Sequence, residues 1–415
     1  MPRAPDSLLL VLPLPIYAVG NTLYLDTQAC NGLRLWLENF ATVTLCCPVL
    51  DVTAPPAMTS DVTELLPTKA LEIQCLPAAW TPGGFVRHLP GTRTLLRDLI
   101  ARATHLQFAI GGLWGDWGAV AALLAARDGR EAAVWTDRVE SQVMAFQARQ
   151  YSGVRRLYRR LNAALAVRLE RYVIRRSAMG LFHGMDTYHA YAQHSRDGHL
   201  VHDVHLGADS RILPEDLALK LMRPTGRTIE IVYGGRVHPD KGVADWIETL
   251  ALLGVSGTKF RATWFGDGPE LASARESVAR LGLGDHISFP GPSADRDALM
   301  RAFRAADLFL FCHKTLESPR CLIEALLSGT PIIGYDSPYP RDLIAAHGGG
   351  VLTGGSPAAL AAALNAIAAA PDRLAPLTEA AAKDGHPLID ADVFRHRSEL
   401  IKSLQGQRRM RDSDF

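Results

Sequence analysis

Short apolar runs alternate with longer helical patterns along most of the chain, and this alternation limits the possible folds more than any other feature. Such a rhythm is typical of parallel strands connected by helices, because strands covered on both faces need few polar residues. The predicted strands are 8–12, 43–47, 107–110, 133–136, 179–182 and 199–205 in the first half, and 230–233, 261–265, 287–289, 308–312 and 331–334 in the second.

A turn-rich stretch at 221–227 interrupts the alternation, which then restarts. We therefore predict an α/β protein with two doubly wound, Rossmann-like domains that face a cleft between them. The predicted boundaries are 1–220 for the first domain, 228–385 for the second, 386–405 for a closing helix that returns towards the first domain, and 406–415 for a disordered tail. Ligands in such folds bind beyond the carboxyl ends of the strands, so the loops there become the candidates for a site.

Composition narrows the class of partner. The 415 residues are 48% hydrophobic and carry a formal net charge of +1, which predicts a large buried core and argues against nucleic acid as a partner. Six scattered cysteines without a CxxC pair indicate reduced thiols and a cytoplasmic protein. The apolar run at 7–15 is too short to span a bilayer, so we expect a soluble or at most membrane-peripheral protein.

Three glycine-containing loops follow predicted strands of the second half. The first reads GGRVHPDKG and contains Gly235, Arg236 and Lys241; its cations could neutralise a diphosphate that approaches the backbone, or the loop is a solvated turn. The second, GDGPE, begins at Gly266 and is also explained by a turn that starts a helix. The third, ISFPG, ends at Gly291.

Two carboxylates bracket the start of the next helical pattern, in the stretch HKTLESPRCLIEALLSGTPIIGY. Glu317 lies in the loop and Glu324 lies within the helix, so that they could reach two parts of one ligand. Carboxylate oxygens accept hydrogen bonds from the hydroxyls of a sugar or a ribose.

Taken in order, these four segments resemble the donor-binding half of the retaining glycosyltransferases of family 4, which have the two-domain GT-B fold. The resemblance covers about residues 231–350 and is much weaker in the first half. It implies a nucleoside-diphosphate sugar as donor and no obligatory metal or other cofactor. The residues that it assigns to the donor site are Gly20, Gly235, Arg236, Lys241, Gly266, Gly291, Glu317, Leu322, Ile323 and Glu324.

Within that set, the resemblance places Arg236 and Lys241 on the donor diphosphate, Glu317 on the donor sugar and Glu324 on the ribose. Fixed cations beside a departing diphosphate stabilise the transition state more than the ground state, so Arg236 and Lys241 are the predicted catalytic groups. The chain departs from the family at one point, because six residues rather than seven separate the glutamates. Either the loop is shortened and Glu317 keeps its role, or Leu316 takes the family position.

The first half offers two weaker candidates. Gly20 follows the first strand, where it could approach the donor phosphates or form an ordinary turn. Asp137 follows the strand at 133–136, where the family often has a histidine; it could orient the acceptor hydroxyl, although Asp137 and Glu140 also have the spacing of a helix capping box. The Gly-Trp-rich loop at 111–118 could line an acceptor site or simply pack.

An arginine-rich segment at 154–177 has helical spacing of Val154, Leu157, Leu161, Leu165, Leu169 and Tyr172. We expect this apolar stripe to pack on the first domain, with a peripheral contact to an anionic membrane as the alternative. Histidines at 199, 202 and 205 have a spacing of three that does not suit a metal site on a strand.

The sequence thus predicts a retaining glycosyltransferase that moves a sugar from a nucleoside-diphosphate sugar to an acceptor, either a saccharide or a lipid-linked molecule. An epimerase or a phosphorylase of the same fold is the alternative. A dinucleotide-dependent oxidoreductase is disfavoured, because no GxGxxG follows a first strand. We expect the protein in the cytoplasm, with possible attachment to the inner face of the membrane.

Overall fold

The structure, a computed structural model, describes residues 5–62, 70–224, 226–293, 295–315 and 317–413. The chain forms two compact units, Met1–His205 with Asp390–Phe415 and Leu206–Ile389. The second unit thus begins before residue 220, where the sequence suggested the boundary. The reason is visible at Lys220, which is buried and donates a hydrogen bond of 2.7 Å to Thr330 Oγ1 of the same unit.

In the first unit, the part of the chain that the structure describes is built around a mixed sheet of ten strands. The strands are β1 (Ser7–Val11), β2 (Ile16–Val19), β3 (Thr22–Asp26), β4 (Thr42–Asp51), β5 (Thr59–Asp61), β6 (Leu71–Pro77), β7 (His105–Ala109), β8 (Ala133–Thr136), β9 (Met179–His183) and β10 (Gly198–Val201). The helices are α1 (Thr27–Asn39), α2 (Pro82–Arg102), α3 (Trp117–Arg127), α4 (Glu140–Gln147), α5 (Gly153–Arg176), α6 (Gly184–Tyr191) and, after the second unit, α15 (Asp390–Ser413).

Parallel strands form the centre of this sheet in the order β6-β4-β1-β7-β8-β9-β10. Strand β1 lies between β4 and β7, and all five of its residues are buried. This position explains why its sequence is continuously apolar instead of alternating. Helix α15 continues to Ser413, through most of the segment expected to be a disordered tail, and residues 414–415 lie outside the described residues.

An antiparallel extension was not predicted. Strands β2 and β3 form a hairpin whose turn is Gly20-Asn21, and β3 pairs in turn with β5. Gly20 has φ +59°, a left-handed conformation that glycine adopts without steric cost. Gly20 is exposed and lies after the second strand of the unit, not after the first.

The arginine-rich segment forms α5, and Leu169 packs against the core as predicted. The prediction that the other stripe residues pack inward is wrong for Val154, Leu157, Leu161, Leu165 and Tyr172, which are exposed. Val154 is 84% exposed and Leu157 is 69% exposed, whereas Ala163, Ala166 and Val173 are buried. The small side chains of Ala163 and Ala166 let α5 approach the core closely, so this face is buried in place of the bulkier stripe. None of the helices that the structure describes is long and apolar enough to cross a bilayer.

The loop between β7 and α3 is organised by one buried carboxylate. Asp116 caps α3 and accepts hydrogen bonds from the amides of Gly111 (3.1 Å) and Ala119 (2.8 Å). Burial raises the pKa of Asp116 to about 6 despite these bonds. Trp117 packs beside the cap, is 2% exposed and donates from its indole to the carbonyl of Pro77 at 2.9 Å. For this tryptophan, packing is therefore the observed role.

The described residues of the second unit form one sheet of six strands. The strands are β11 (Ile229–Gly234), β12 (Phe260–Phe265), β13 (Ile287–Gly291), β14 (Leu308–Phe311), β15 (Ile332–Tyr335) and β16 (Gly350–Thr353). The helices are α7 (Pro214–Leu221), α8 (Val243–Val255), α9 (Leu271–Arg280), α10 (Arg296–Ala305), α11 (Arg320–Leu327), α12 (Pro338–Leu343), α13 (Pro357–Ala369) and α14 (Leu374–Gly385).

All pairings in this second sheet are parallel, and the order is β13-β12-β11-β14-β15-β16. Numbered within the unit, the order is 3-2-1-4-5-6, which is typical of doubly wound sheets. Strands are added on one side of β11 up to β13 and on the other side from β14 onward, so the direction of strand addition reverses between β11 and β14. The predicted α/β class with two Rossmann-like domains is confirmed. The loops that follow β11 and β14 diverge at the reversal, which is where a doubly wound sheet binds its ligand.

The first testable prediction concerns Asp116. Because its folded-state pKa lies above the ordinary value for aspartate, the folded state takes up a proton before the unfolded state does as the pH falls through about 6. We expect the wild-type protein to gain about 1 kcal/mol in free energy of unfolding relative to Asp116→Asn between roughly pH 7 and pH 5, measured by urea denaturation.

Asp295→Asn is the matched control, because Asp295 is also a helix cap but is exposed, and the amide of Ala298 lowers its pKa. Its stability contribution is present above the ordinary aspartate pKa and is lost only below that value, so the difference in free energy of unfolding between the wild-type protein and this variant should stay nearly constant from about pH 7 to about pH 5. A pH-independent difference between wild type and Asp116→Asn would contradict the assignment.

Candidate active site

The loop after β11 is held in place by the neighbouring β12. The amide of Gly235 donates to the carbonyl of Phe265 at 2.9 Å, and the indole of Trp264 donates to the carbonyl of Gly235, also at 2.9 Å. Trp264 is fully buried and cannot move without disrupting the core of the unit. The first part of the loop is therefore rigidly positioned by buried structure.

Gly266 and Gly268 allow the β12 loop to lie directly against the β11 loop. A Cβ atom at Gly266 would lie 1.9 Å from the carbonyl oxygen of Gly235, and one at Gly268 would lie 2.3 Å from that of Val237. Any other residue would push the two loops apart. The observed role of Gly266, expected to contact the donor, is this close packing of two backbones. Gly291 ends β13 and has φ +96°, a conformation that favours glycine.

The far end of the β11 loop packs against the end of β14. Gly242 has φ +70° and begins α8, and a Cβ atom there would lie 2.0 Å from the carbonyl oxygen of Cys312. The amide of Lys314 also donates to the carbonyl of Asp240 at 2.8 Å. These contacts tie together the two loops that diverge at the reversal of the sheet.

Lys241 and Glu317 meet at this junction. Lys241 Nζ lies 2.6 Å from Glu317 Oε1, and the side chains are 11% and 9% exposed. A charged pair with so little solvent is strongly oriented, because neither group can exchange its partner for water. The structure thus brings together two residues that the sequence predicted for one site and that are separated by 75 other residues. Leu316, the alternative to Glu317, lies outside the described residues.

Arg236 is held much more loosely than Lys241. Its side chain is 63% exposed, and its guanidinium lies 3.9 Å from Asp240 Oδ2. Asp240 is buried, and its other oxygen lies 2.6 Å from His238 Nδ1. Arg236 is therefore free to reorient towards a ligand, while Asp240 stays fixed beneath the loop.

Glu324 is paired with a residue that sequence reasoning missed. Arg296, the first residue of α10, contacts the Glu324 carboxylate through Nη2, and the side chains are 34% and 10% exposed. No local motif marks Arg296; its only sequence signal is its place one short loop after β13. A guanidinium against a carboxylate leaves further donors and acceptors on both groups for a polar ligand.

Leu322 and Ile323 are less suited to contact a donor than expected. Their side chains are 0% and 1% exposed and pack in the core. A ligand could meet only the backbone of this first turn of α11, whose N-cap residue, Pro319, provides no side-chain cap. Helix N-termini attract anions through their amides and partial positive charge.

His313, at the end of β14, was not predicted either. Its Nε2 atom lies 2.7 Å from the hydroxyl of Tyr233. Burial and the nearby Lys241 ammonium lower the pKa of His313 well below its usual range. The imidazole is therefore neutral near pH 7 and adds no charge to the site.

In the first unit, Asp137 does not cap a helix, which was one of the two roles expected for it. Helix α4 begins at Glu140 with Val139 as its N-cap residue and no side-chain capping bond, so the capping-box interpretation is wrong. Glu140 instead accepts a hydrogen bond of 2.6 Å from Arg138 Nε. Asp137 follows β8, is 56% exposed and lies 3.9 Å from His183 Nε2. Among the described residues, no group of three His, Cys, Asp or Glu side chains is placed to hold a metal ion.

The close approach at Gly242 gives the second prediction. We expect Gly242→Ala to destabilise the protein by about 3 kcal/mol, because the added Cβ must displace the carbonyl of Cys312. Gly257→Ala is the matched control, since Gly257 has φ +81° and no atom within 4 Å of a built Cβ. That control should lose only about 1 kcal/mol in thermal denaturation. Equal losses in the two variants would show that the junction is not tightly packed.

The second unit resembles known proteins in sequence. Residues 223–384, which lie within the second unit, match the family model described as glycosyl transferases group 1. The chain is 28% identical over 137 residues to an alpha-monoglucosyldiacylglycerol synthase of Streptococcus pneumoniae, covering 33% of this chain and 31% of that protein. It is 33% identical over 107 residues to a 2-deoxystreptamine glucosyltransferase of Streptomyces kanamyceticus, covering 25% and 27%. The chain thus spans less than a third of the length of either relative.

The fold similarity extends over nearly the whole chain. The crystal structure of HepE from Anabaena in complex with UDP aligns with a TM-score of 0.65 at 16% identity, over 97% of this chain and 100% of that one. This likeness supports the GT-B fold for both units. The chain therefore has the GT-B fold, and its residues 223–384 form a domain similar to the glycosyl transferases group 1 family.

Proposed function

We propose that this protein is a retaining glycosyltransferase of family 4 that transfers a sugar from a nucleoside-diphosphate sugar to an acceptor hydroxyl. The observation that carries the proposal is the Lys241–Glu317 pair at the reversal of the second sheet. It lies in the segment that matches the group 1 family. The UDP bound by HepE supports a nucleoside diphosphate as the ligand class.

Lys241 and Arg236 bind the donor diphosphate in this proposal. An ammonium has three donors, so Lys241 can keep its bond to Glu317 and still donate to phosphate oxygens. Arg236 is exposed and can close on the diphosphate from the solvent side. Lys241 is thus held in position before the donor binds, whereas Arg236 moves onto the diphosphate when it binds.

The two glutamates contact the neutral parts of the donor. Glu317 uses Oε1 for Lys241, which leaves Oε2 to accept a hydrogen bond from a sugar hydroxyl. Glu324 and Arg296 together offer an acceptor and donors to the ribose. Glu317 therefore has a second role as the residue that positions Lys241.

The proposed chemistry needs no covalent enzyme intermediate. The bond between the anomeric carbon and the diphosphate oxygen breaks as the acceptor oxygen bonds to the same face of that carbon. The acceptor proton passes to the departing phosphate. Negative charge accumulates on the diphosphate, where Lys241 and Arg236 stabilise it. Neither glutamate acts as a nucleophile, in contrast to a retaining glycosidase.

We assign Asp137 to the acceptor. Its carboxylate is exposed at the end of a parallel strand and caps no helix, so it is available to orient a hydroxyl. The acceptor is a saccharide or a lipid-linked molecule, and the six free cysteines fit a cytoplasmic location. An epimerase or a phosphorylase is not favoured, since the matched relatives carry the names of a glucosyltransferase and a glucosyl-lipid synthase.

The nucleotide can be identified by thermal stabilisation of the purified chain with UDP, GDP, ADP and TDP, and then with their sugars. A ligand that binds only the folded state stabilises it by about 2.7 kcal/mol at a hundredfold excess over its dissociation constant. UDP is the first candidate because HepE was crystallised with it. Failure of all four to shift the melting temperature would overturn the proposed donor class.

The third prediction tests the cations. We expect Lys241→Ala and Arg236→Ala each to lower kcat about 100-fold or more, because each removes charge stabilisation from the departing diphosphate. Arg261→Ala is a matched control, since Arg261 is 71% exposed and lies 3.7 Å from Glu230, much as Arg236 lies beside Asp240. Steady-state transfer with the stabilising donor is the measurement. Full turnover in both Arg236→Ala and Lys241→Ala would refute the mechanism.

The fourth prediction tests the dual role of Glu317. In a double-mutant cycle with Lys241→Ala and Glu317→Ala, we expect the loss in kcat/KM to be smaller in the double variant than the product of the single losses. The physical reason is that part of the Glu317 effect operates through Lys241. Strictly multiplicative losses would mean that Glu317 acts on the donor independently.

A further inference from the structure

Helix α5 presents two different faces, and only one of them is packed in the structure. Ala163, Ala166 and Val173 are buried against the first unit. The apolar stripe from Val154 to Leu165 projects about 140° away from this buried face, because successive residues of an α-helix are rotated by about 100°. Val154, Leu157, Leu161 and Leu165 therefore point outward, away from the core.

The exposed stripe is continuous over the N-terminal half of the helix. Val154, Leu157, Tyr158, Leu161 and Leu165 are 84%, 69%, 49%, 57% and 37% exposed. All residues from 153 to 161 are exposed, so this part of α5 has no packed face in the structure. A continuous exposed apolar stripe of this kind is typical of an interaction surface.

The charge around the stripe is strongly positive. Helix α5 carries eight arginines and one carboxylate, Glu170. Glu170 is buried and accepts hydrogen bonds from Ser141 Oγ (2.7 Å) and the Tyr191 hydroxyl (2.9 Å), so it neutralises nothing on the surface. Within the described part of the chain, none of these arginines forms an ion pair with a carboxylate. A protein with a net charge of +1 thus concentrates on one helix eight cations that have no carboxylate partner among the described residues.

We propose that α5 docks the protein onto the surface of a bilayer that contains anionic phospholipids. The stripe of Val154, Leu157, Leu161 and Leu165 enters the boundary between headgroups and acyl chains, and the arginines bind lipid phosphates. Their long side chains can reach past the apolar stripe to the headgroups. The exposed tyrosines Tyr158 and Tyr172 suit the same interface, where an aromatic ring is buried and its hydroxyl stays in water.

Two other partners fit this face less well, a second copy of the chain because of its charge and a nucleic acid because of the apolar stripe. A second copy of the chain docked through α5 would bring two sets of eight arginines together, and like charges at short range repel. A nucleic acid would satisfy the arginines but would leave the leucines of the stripe in water. An anionic bilayer satisfies the positive charge and the apolar stripe at the same time.

The fifth prediction is tested by co-sedimentation of the full chain with vesicles. We expect binding to vesicles of phosphatidylcholine with about a third phosphatidylglycerol to be at least tenfold stronger than to phosphatidylcholine alone, and to weaken as salt is raised. Leu157→Ser with Leu161→Ser should weaken binding about 100-fold, because two exposed leucines lose their transfer to the bilayer. Replacing Arg155, Arg156, Arg159 and Arg160 by Gln should have an effect of at least that size.

Leu219→Ser with Val255→Ser is the matched control, since these residues are 63% and 88% exposed but lie in the second unit. That control should bind like the wild-type protein. Equal binding by the control and the stripe variant would overturn the proposal, as would wild-type binding that ignores lipid charge. A dimer in gel filtration that Leu157→Ser disrupts, or binding to an oligonucleotide without binding to vesicles, would also overturn it.

Discussion

The adjacency of β11 and β14 in the second sheet is the constraint on which the candidate site depends. Parallel strands end at the same edge, so the loops that follow these two strands must emerge side by side before they diverge. Gly242 allows the two loops to come into contact, because any side chain at this position would collide with the carbonyl of Cys312. Lys241 and Glu317 are brought to 2.6 Å as a direct consequence.

The charged groups of the candidate site balance one another. Lys241 is paired with Glu317, Arg296 with Glu324, and Arg236 lies near Asp240. Each buried carboxylate thus has a cation nearby, which offsets the cost of removing it from water. Binding of a diphosphate then relies on the positions of the cations and not on an excess of positive charge. The exposed Arg236 and the buried Lys241 suit the binding of a diphosphate, because Arg236 can close on a ligand that Lys241 already faces.

In the first unit, the charged groups of α5 are divided between the interior and the surface. Glu170 connects α5 to Ser141 and Tyr191 inside the fold, so the only carboxylate of the helix is consumed by packing. The arginines and the apolar stripe of Val154, Leu157, Leu161 and Leu165 remain exposed. The amphipathic pattern of α5 therefore serves a surface and not a core, and a net charge close to zero for the whole chain conceals this local concentration.

Much of the second unit followed from the sequence by itself, because buried parallel strands are continuous apolar runs and close turns require glycine. Strands β11 to β15 and the loops with Arg236, Lys241 and Glu317 were predicted for these local reasons. The hairpin of β2 and β3, the partner of Glu324 and the outward face of α5 were not. The hairpin is a local structure with the turn Gly20-Asn21, whereas the other two features depend on contacts between residues far apart in the chain. The sequence determined which segments become strands and helices, while tertiary packing decided which face of α5 is buried and which cation meets each carboxylate, since only the folded chain brings those atoms within contact distance.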